Sequence, residues 1–226
     1  MTIDIRILPG LTPYAEGLDL QKKLVDERAR NTIVDTVLLL EHPPVITLGR
    51  SAAPEGVLAS PEFLAARGID VFRIERGGQA TWHCPGQLVG YYIVNLHARG
   101  LGISAFVWNI EEVMRRAAIF LGVDAMRIPG KTGIFHTGPR PAKIGALGVR
   151  ISRGISFHGM ALNIHPDLSG YRLIVPCGMA DTPVSSIAVE RGTSPSMDEA
   201  RTAVIDAVKE VFDQNVSVSG SLTSSR

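Results

Sequence analysis

Apolar residues recur at three- and four-residue steps over about 105–121, which predicts an amphipathic helix after Ser104. Two further helices are expected, one at about 13–30 that starts at Thr12-Pro13 and one at about 197–213. In the middle stretch the apolar stripe is formed by Val107, Ile110, Met114, Ala117, Ala118 and Leu121. The third stretch opens with Ser196-Met197-Asp198-Glu199, which matches a capping box. A shorter helical turn is expected to begin at Ser60-Pro61, because proline is favoured at the first helical position.

Between these stretches lie short runs rich in β-branched or alternating apolar residues, which predict strands. The runs fall at about 4–8, 33–40, 71–75, 88–96, 143–151, 155–164 and 171–175. Strands and helices do not alternate regularly along the chain. This order predicts an α+β fold, in which helices pack on a mixed sheet, and disfavours a doubly wound nucleotide-binding fold.

The composition is that of an ordinary globular protein, with 45% hydrophobic and 20% charged residues in 226. No internal repeat is evident. We therefore expect a single domain over 1–215, followed by a flexible tail over 216–226 that is rich in serine, glycine and threonine.

The charge and the number of cysteines exclude several classes of protein. A net charge of +1 gives no whole-molecule case for binding nucleic acid or membranes. Asp4 and Arg6 interrupt any signal-peptide core, and the longest apolar runs fall short of the ~20 residues of a membrane-spanning helix. Two cysteines exclude a four-cysteine zinc site and a disulfide framework. The predicted location is the cytoplasm.

The segment from Arg76 to Gln87, RGGQATWHCPGQ, is the first candidate for function. Paired glycines allow a close approach of backbone to a ligand, while Arg76 and His83 supply polar groups. A plain hairpin turn is the alternative, since Gly-Gly is also a favoured hairpin connection. The segment matches neither the phosphate-loop pattern nor G-x-G-x-x-G, so nucleotide binding is not indicated.

The second candidate is Lys143, at the start of an apolar, glycine-bearing strand. A lysine is usually a solvated charge, but one that is desolvated can exchange protons near neutral pH.

The third candidate is Cys177, between Pro176 and Gly178. A buried, inert thiol is the usual interpretation of a lone cysteine. Proline and glycine instead favour a tight turn, which would expose the sulfur and leave backbone N–H groups for an oxyanion. A neighbouring cation would favour the thiolate. Lys143 is one candidate for that cation, and the rival activators are His83, His136, His158 and His165.

Taken together, RGGQATWHCPGQLVGYYIVNL, AKIGALGVRISRGISFHGMALNI and VPCGMADTPVSSI resemble the octanoyl-[acyl carrier protein]:protein N-octanoyltransferases of lipoate biosynthesis. The likeness runs from about residue 41 to 190. It implies the fold of the biotin and lipoate protein ligases, with a mixed sheet around an acyl-binding tunnel.

The resemblance also assigns residues. It implies a Cys/Lys dyad in which Cys177 is the nucleophile and Lys143 its partner, and it requires no cofactor and no metal. The substrate-binding residues that it implies are Arg76, Gly77, Gly78, Gln79, Ala80, Thr81, Trp82, His83, Ala146, Leu147, Gly148, Gly159, Met160 and Ala161. His158 borders the last group and is included with it; a structural hydrogen bond is the alternative role for this side chain.

One position departs from the family. Where the family usually has His-Gly-Pro-Gly-Gln, this chain has Cys84 in place of the first glycine. If that glycine takes a positive φ, Cys84 would be strained. We expect Cys84 to be dispensable.

The resemblance further implies octanoyl-acyl carrier protein as the donor. The implied acceptors are the lipoyl domains of 2-oxoacid dehydrogenase complexes and the glycine cleavage H protein. Because carrier proteins are acidic, the seven basic residues against one acidic residue between Arg127 and Arg172 suit electrostatic steering, with a solvated face as the alternative.

Three other activities remain open at this point. They are a lipoate or biotin protein ligase that uses ATP, a non-catalytic protein that binds acyl carriers or lipoyl domains, and a cysteine hydrolase.

Overall fold

The chain folds around an eight-stranded sheet with a three-stranded sheet beside it. The computed structural model describes residues 2–175, 182–212 and 215–220. The strands are β1 (Ile3–Leu11), β2 (Asp35–Glu41), β3 (Val45–Leu48), β4 (Asp70–Arg73), β5 (Ala80–His83), β6 (Gln87–Ile93), β7 (Ala125–Ile128), β8 (Lys131–His136), β9 (Lys143–Ser152), β10 (Ile155–Asn163) and β11 (Val216–Ser219). The helices are α1 (Tyr14–Ala29), α2 (Pro61–Ala65), α3 (Ile103–Phe120), α4 (Ile187–Arg191) and α5 (Met197–Phe212), with 3₁₀ turns at Pro54–Gly56 and Leu168–Leu173.

The large sheet has the order β11-β1-β2-β6-β10-β9-β8-β7, and the small sheet has the order β4-β3-β5. β1 runs parallel to both of its neighbours, whereas the pairs from β2 to β7 are antiparallel. In the small sheet β3 is parallel to β4 and antiparallel to β5. The predicted α+β fold with a mixed sheet is thus confirmed.

Helices cover both faces of the large sheet. In β2, Val37 and Leu39 belong to the core cluster that includes α3 and α5, and Leu38 and Leu40 belong to the cluster that includes α1. Successive side chains of a strand point to opposite faces, so a strand buried on both sides reads as a continuous apolar run. This burial explains the sequence Thr-Val-Leu-Leu-Leu at positions 36–40.

The three long helices lie at the predicted positions. The capping box of α5 is present: the Glu199 carboxylate accepts the Ser196 N–H at 2.7 Å, and the Ser196 hydroxyl accepts the Glu199 N–H at 3.2 Å. Ser60 caps α2 by accepting the Phe63 N–H. In the part of the chain that the structure describes, no helix is long and apolar enough to cross a membrane.

The strand expected at 171–175 is not formed. Residues Leu168–Leu173 instead form a 3₁₀ turn, capped by the Asp167 carboxylate through the Ser169 N–H, and only Ile174 makes an isolated bridge, to Val57. The flexible tail was expected to begin at 216, but Val216–Ser219 forms β11 and pairs with β1 at the edge of the sheet. The remaining tail from 221 lies outside the described residues.

Candidate active site

Two of the three substrate-binding segments pair directly across the hairpin of β9 and β10. Gly148 lies opposite Gly159, Leu147 opposite Met160 and Ala146 opposite Ala161. The β9–β10 pairing therefore brings together residues that are separated by more than ten positions in sequence.

The remaining segment, which begins at Arg76, lies against β9 where both carry glycines. The Gly77 N–H donates to the Val149 carbonyl at 3.0 Å, and a Cβ on Gly148 would lie 2.7 Å from the Gly77 carbonyl oxygen. Only a residue without a side chain fits at 148 while the 76–78 backbone lies this close. The glycines thus allow the approach that the sequence suggested.

A small cavity of about 50 Å³ lies where the segments meet. All of the expected substrate-binding residues line it except Gly77, Ala80 and Trp82. Along β5, Thr81 and His83 face the cavity, while Ala80 and Trp82 lie in the apolar cluster beneath the small sheet. Strand alternation explains the division, so Ala80 and Trp82 are core residues here.

An outer cleft of about 460 Å³ adjoins this cavity. The two share Gly78, Gln79, Leu147 and Gly148 as lining residues. Gly77, Lys131 and Lys143 also line the cleft. The cleft that Lys143 lines and the inner cavity are therefore adjacent.

Lys143 begins β9 and is only 7% exposed. Its backbone N–H donates to the Pro183 carbonyl at 2.8 Å, and its carbonyl accepts from Ser185 at 2.9 Å. Its Nζ donates to the Thr132 carbonyl at 2.9 Å and lies 5.4 Å from the centroid of the Phe135 ring. The ammonium is held in place at the wall of the cleft.

Cys177 and its neighbours in the 176–181 segment lie outside the described residues. The described residues on either side are anchored. The Val175 N–H donates to the Gly56 carbonyl at 2.9 Å, and the Thr182 hydroxyl accepts from Lys131 Nζ at 3.2 Å. Because Lys131 lines the cleft, the chain re-enters the described structure at the cleft wall.

Of the proposed activators, Lys143 alone lines the outer cleft. His83 and His158 lie at the inner cavity, and neither His136 nor His165 lines either space. His136 accepts the Gly138 N–H and lies 3.2 Å from the Glu190 carboxylate. Among the described lining residues, Lys131 and Lys143 are the ionisable groups of the cleft, and no acidic residue lines it.

Burial keeps the histidines of the inner cavity neutral. Desolvation lowers the pKa of His83 to about 3 and that of His42, which lies behind the cavity wall, to about 4. Gln87 Nε2 donates to Asn163 Oδ1, so Gln87 Oε1 accepts at 2.6 Å from His83 Nδ1, which must carry the proton. His83 therefore presents its other nitrogen as an acceptor.

His158 also lines the inner cavity. It is 2% exposed and has a left-handed φ of 59°, and its N–H donates to Gln21 Oε1 at 2.8 Å. Neither ring nitrogen has a hydrogen-bond partner among the described residues, and burial, with a smaller contribution from Arg76, lowers its pKa to about 3. The structural hydrogen bond at this position is made by the backbone, and a role of the ring in binding stays a prediction.

Tyr14 and Tyr91 also line the cavity and were missed from the sequence. His42 Nδ1 faces the Thr12 carbonyl at 2.6 Å and must donate to it, so His42 Nε2 accepts from the Tyr91 hydroxyl, also at 2.6 Å. For Tyr91 the available signal was a tyrosine within an otherwise apolar strand sequence, Leu-Val-Gly-Tyr-Tyr-Ile, because a buried tyrosine hydroxyl needs a hydrogen-bond partner.

Cys84 lies outside both spaces. It is 3% exposed, packs with Trp82 and Ile174, and its thiol donates to the Asp167 carbonyl at 3.7 Å. Among the described non-glycine residues a left-handed φ occurs at Asn31, Arg153 and His158, so the expected strain at Cys84 is absent. Burial raises the pKa of this thiol to about 11, which disfavours the reactive thiolate.

Comparison with known proteins identifies the class. Residues 13–209 match the family described as the lipoyl protein ligase A/B catalytic domain. The chain belongs to this family.

Relatives and solved structures agree with this assignment. The chain is 46% identical over 204 residues to an octanoyltransferase of Chloroflexus aurantiacus, covering 90% of this chain and 91% of that protein. It is 43% identical to an octanoyltransferase of Koribacter versatilis, covering 92% and 83%.

Among solved structures, lipoate-protein ligase A bound with ATP superposes with a TM-score of 0.72 at 18% identity, covering 98% of this chain and 90% of the other. A bipartite lipoate protein ligase from Thermoplasma acidophilum gives 0.70 at 17% identity, covering 98% and 87%. The expected lipoate-ligase fold is thus confirmed, and at these identities the likeness to the ligases concerns the fold alone.

Proposed function

We propose that this protein transfers an octanoyl group from octanoyl-acyl carrier protein, through a thioester on Cys177, to a lysine of lipoyl domains. The acceptors would be the lipoyl domains of 2-oxoacid dehydrogenase complexes and the glycine cleavage H protein. The observation that carries the proposal is that the cleft lined by Lys143 adjoins a cavity lined by residues of all three substrate-binding segments. Relatives named octanoyltransferase over most of the chain support it independently.

In the first step the Cys177 thiolate attacks the thioester carbonyl of the donor. The new carbon–sulfur bond forms, the bond to the carrier breaks, and the departing thiolate takes a proton from the Lys143 ammonium. The acyl chain extends into the inner cavity, where Leu147, Met160 and Ala161 supply apolar contacts. Backbone N–H groups stabilise the oxyanion.

In the second step the neutral amine of the acceptor lysine attacks the Cys177 thioester. The amide bond forms, the Cys177 sulfur leaves as a thiolate, and the proton lost by the attacking nitrogen goes to the now neutral Lys143. Thiolate and ammonium are both restored, so the cycle closes without a metal or a nucleotide.

Incubation with octanoyl-carrier and a lipoyl domain, with no ATP, is expected to give octanoylated lipoyl domain, detected by intact mass. A matched acceptor whose lysine is replaced by arginine should gain no mass. Dependence on ATP and free octanoate would identify a ligase, and release of octanoate without acceptor would identify a hydrolase. The absence of any acyl-enzyme and of any product would leave only a binding protein; each of these three results overturns the proposal.

Fewer basic residues are available to attract the acidic donor than the charge count suggested, because three of them have acidic partners. Arg127 pairs with Glu111 and Glu112, which lie outside the basic span. Arg150 lies 3.7 Å from Glu75, and Arg153 pairs with Asp26, so these charges are partly neutralised. Of the other basic residues in the span, Lys131 and Lys143 lie at the wall of a cleft that no described acidic residue lines.

Charge reversal by Lys131→Glu is therefore expected to raise the KM for octanoyl-carrier roughly tenfold, because the steering charge at the cleft becomes repulsive. The KM should rise further in low salt and less in high salt, since salt screens exposed charges. Arg153→Glu is the matched control, because Arg153 lies outside the cleft, and it should leave this KM within about twofold of the wild type. Equal effects of the two reversals would show that Lys131 does not face the donor.

A further inference from the structure

Glu111 is an acidic residue on a helix that packs into the main core. Its neighbours Ile110, Val113 and Met114 are fully buried, and Glu111 itself is only 8% exposed. Burying a carboxylate is costly unless hydrogen bonds compensate for the lost water. The side chain must therefore be held by specific partners.

The partner of Glu111 is a backbone amide. Glu111 Oε1 accepts the Gly133 N–H at 2.7 Å, and Oε2 lies 3.4 Å from Arg127 Nε. The adjacent Glu112 differs, since its oxygens accept from Arg115, Arg116 and Arg127. The two neighbouring acids thus share Arg127, but of the two only Glu111 contacts the 132–133 peptide.

The same peptide unit holds Lys143 on its other side. The Gly133 N–H belongs to the peptide whose carbonyl is that of Thr132, and this carbonyl accepts from Lys143 Nζ at 2.9 Å. A planar peptide fixes the N–H and the carbonyl relative to each other. One rigid group therefore connects the carboxylate on α3 to the ammonium at the cleft.

Gly133 is adapted to this arrangement. Its φ is 107°, and a Cβ there would lie 2.3 Å from the Gly145 carbonyl oxygen of β9. Such a φ is accessible to glycine and strained for other residues. The backbone at 133 is thus fitted between the Glu111 carboxylate and the strand that begins at Lys143.

We propose that Glu111 is a positioning residue for the transfer reaction, which acts on Lys143 through the Thr132–Gly133 peptide. The hydrogen bond to the carboxylate polarises the peptide and strengthens its carbonyl as an acceptor for the ammonium. It also fixes the direction in which the Lys143 side chain points. This inference rests on the function proposed for Lys143.

Glu111→Leu, which keeps the apolar packing and removes the acceptor, is expected to lower kcat roughly 10- to 100-fold, since small displacements of a reacting group cost this much. The KM for octanoyl-carrier should stay within about twofold, because the donor does not contact the buried carboxylate. Glu111→Gln keeps an acceptor oxygen for the Gly133 N–H and should restore most of the rate. Glu112→Leu removes the neighbouring carboxylate and should leave kcat unchanged.

A double-mutant cycle separates positioning from a general loss of structure. In single-turnover transfer, Glu111→Leu should have little further effect in a Lys143→Met background, because the group through which it acts is already gone. Losses that multiply across the two sites would overturn the positioning role while leaving the function of Lys143 intact. A Lys143→Met single variant with the wild-type rate would overturn both. Thermal unfolding of each variant checks that the protein remains folded.

Discussion

Replacing Cys177 by serine is expected to abolish octanoyl transfer, with a loss of at least roughly a thousandfold, because the reacting thiolate is replaced by a hydroxyl that stays protonated. The change is nearly isosteric, so the fold should be retained. Intact mass after mixing with octanoyl-carrier gives the direct readout. The wild type gains one octanoyl group and Cys177→Ser gains none.

Cys84→Ser is the matched control, since it makes the same chemical change at the second cysteine of the chain. This thiol is buried outside the cavity and the cleft, and its pKa of about 11 leaves it protonated. We expect Cys84→Ser to keep most of the activity and the whole of the acyl adduct. An acyl adduct on the Cys177→Ser variant, or loss of transfer in the Cys84→Ser variant, would show that Cys177 is not the nucleophile.

The elements with a strong periodic signal could be predicted from the sequence. The helices α3 and α5 each bury one apolar stripe against the sheet, and β2 and β6 are buried on both faces, so their sequences report their surroundings directly. The short strands β3, β5, β7, β8 and β11 were missed. Strands of four to six residues carry too little alternation to be distinguished from loops, and β3, β5 and β11 pair with partners that are distant in sequence.

Part of the candidate site could likewise be predicted from the sequence, and part could not. The segments that carry glycines beside polar residues could be selected from the sequence, because a close backbone approach demands glycine, as at Gly148. The face of β5 was not predicted, since Ala80 and Trp82 were included with Thr81 and His83 although a strand sends alternate residues to opposite sides. Knowing that 80–83 is a strand was necessary for that distinction.

Residues that act from behind the site gave only a weak signal. Glu111 interrupts the face of α3 between Ile110 and Met114, and a buried acid in such a position demands a partner. The sequence could not name that partner, because Gly133 is brought to α3 only by the pairing of β8 with β9. Side chains that position others depend on tertiary contacts that no local pattern encodes.

Lys143→Met is expected to lower octanoyl transfer roughly 10²- to 10³-fold, the range typical of removing a positioned acid–base group. Methionine matches the apolar length of lysine, so the packing over Phe135 is kept while the ammonium is lost. Without the cation, alkylation of Cys177 by iodoacetamide should require a higher pH, with its midpoint moving toward that of a free thiol at about 8.5. An unchanged midpoint would show that Lys143 does not stabilise the thiolate.

Lys143→Arg separates the two roles that the mechanism gives to this side chain. Arginine keeps the positive charge but does not release a proton in proteins, since its pKa exceeds about 12. The variant is therefore expected to retain the low midpoint of alkylation and to form the Cys177 thioester more slowly, because the carrier must leave as an unprotonated thiolate, while transfer to the acceptor lysine is lost. If Lys143→Arg instead completes the transfer at the wild-type rate, the ammonium acts through its charge alone, and another group must accept the proton from the attacking amine.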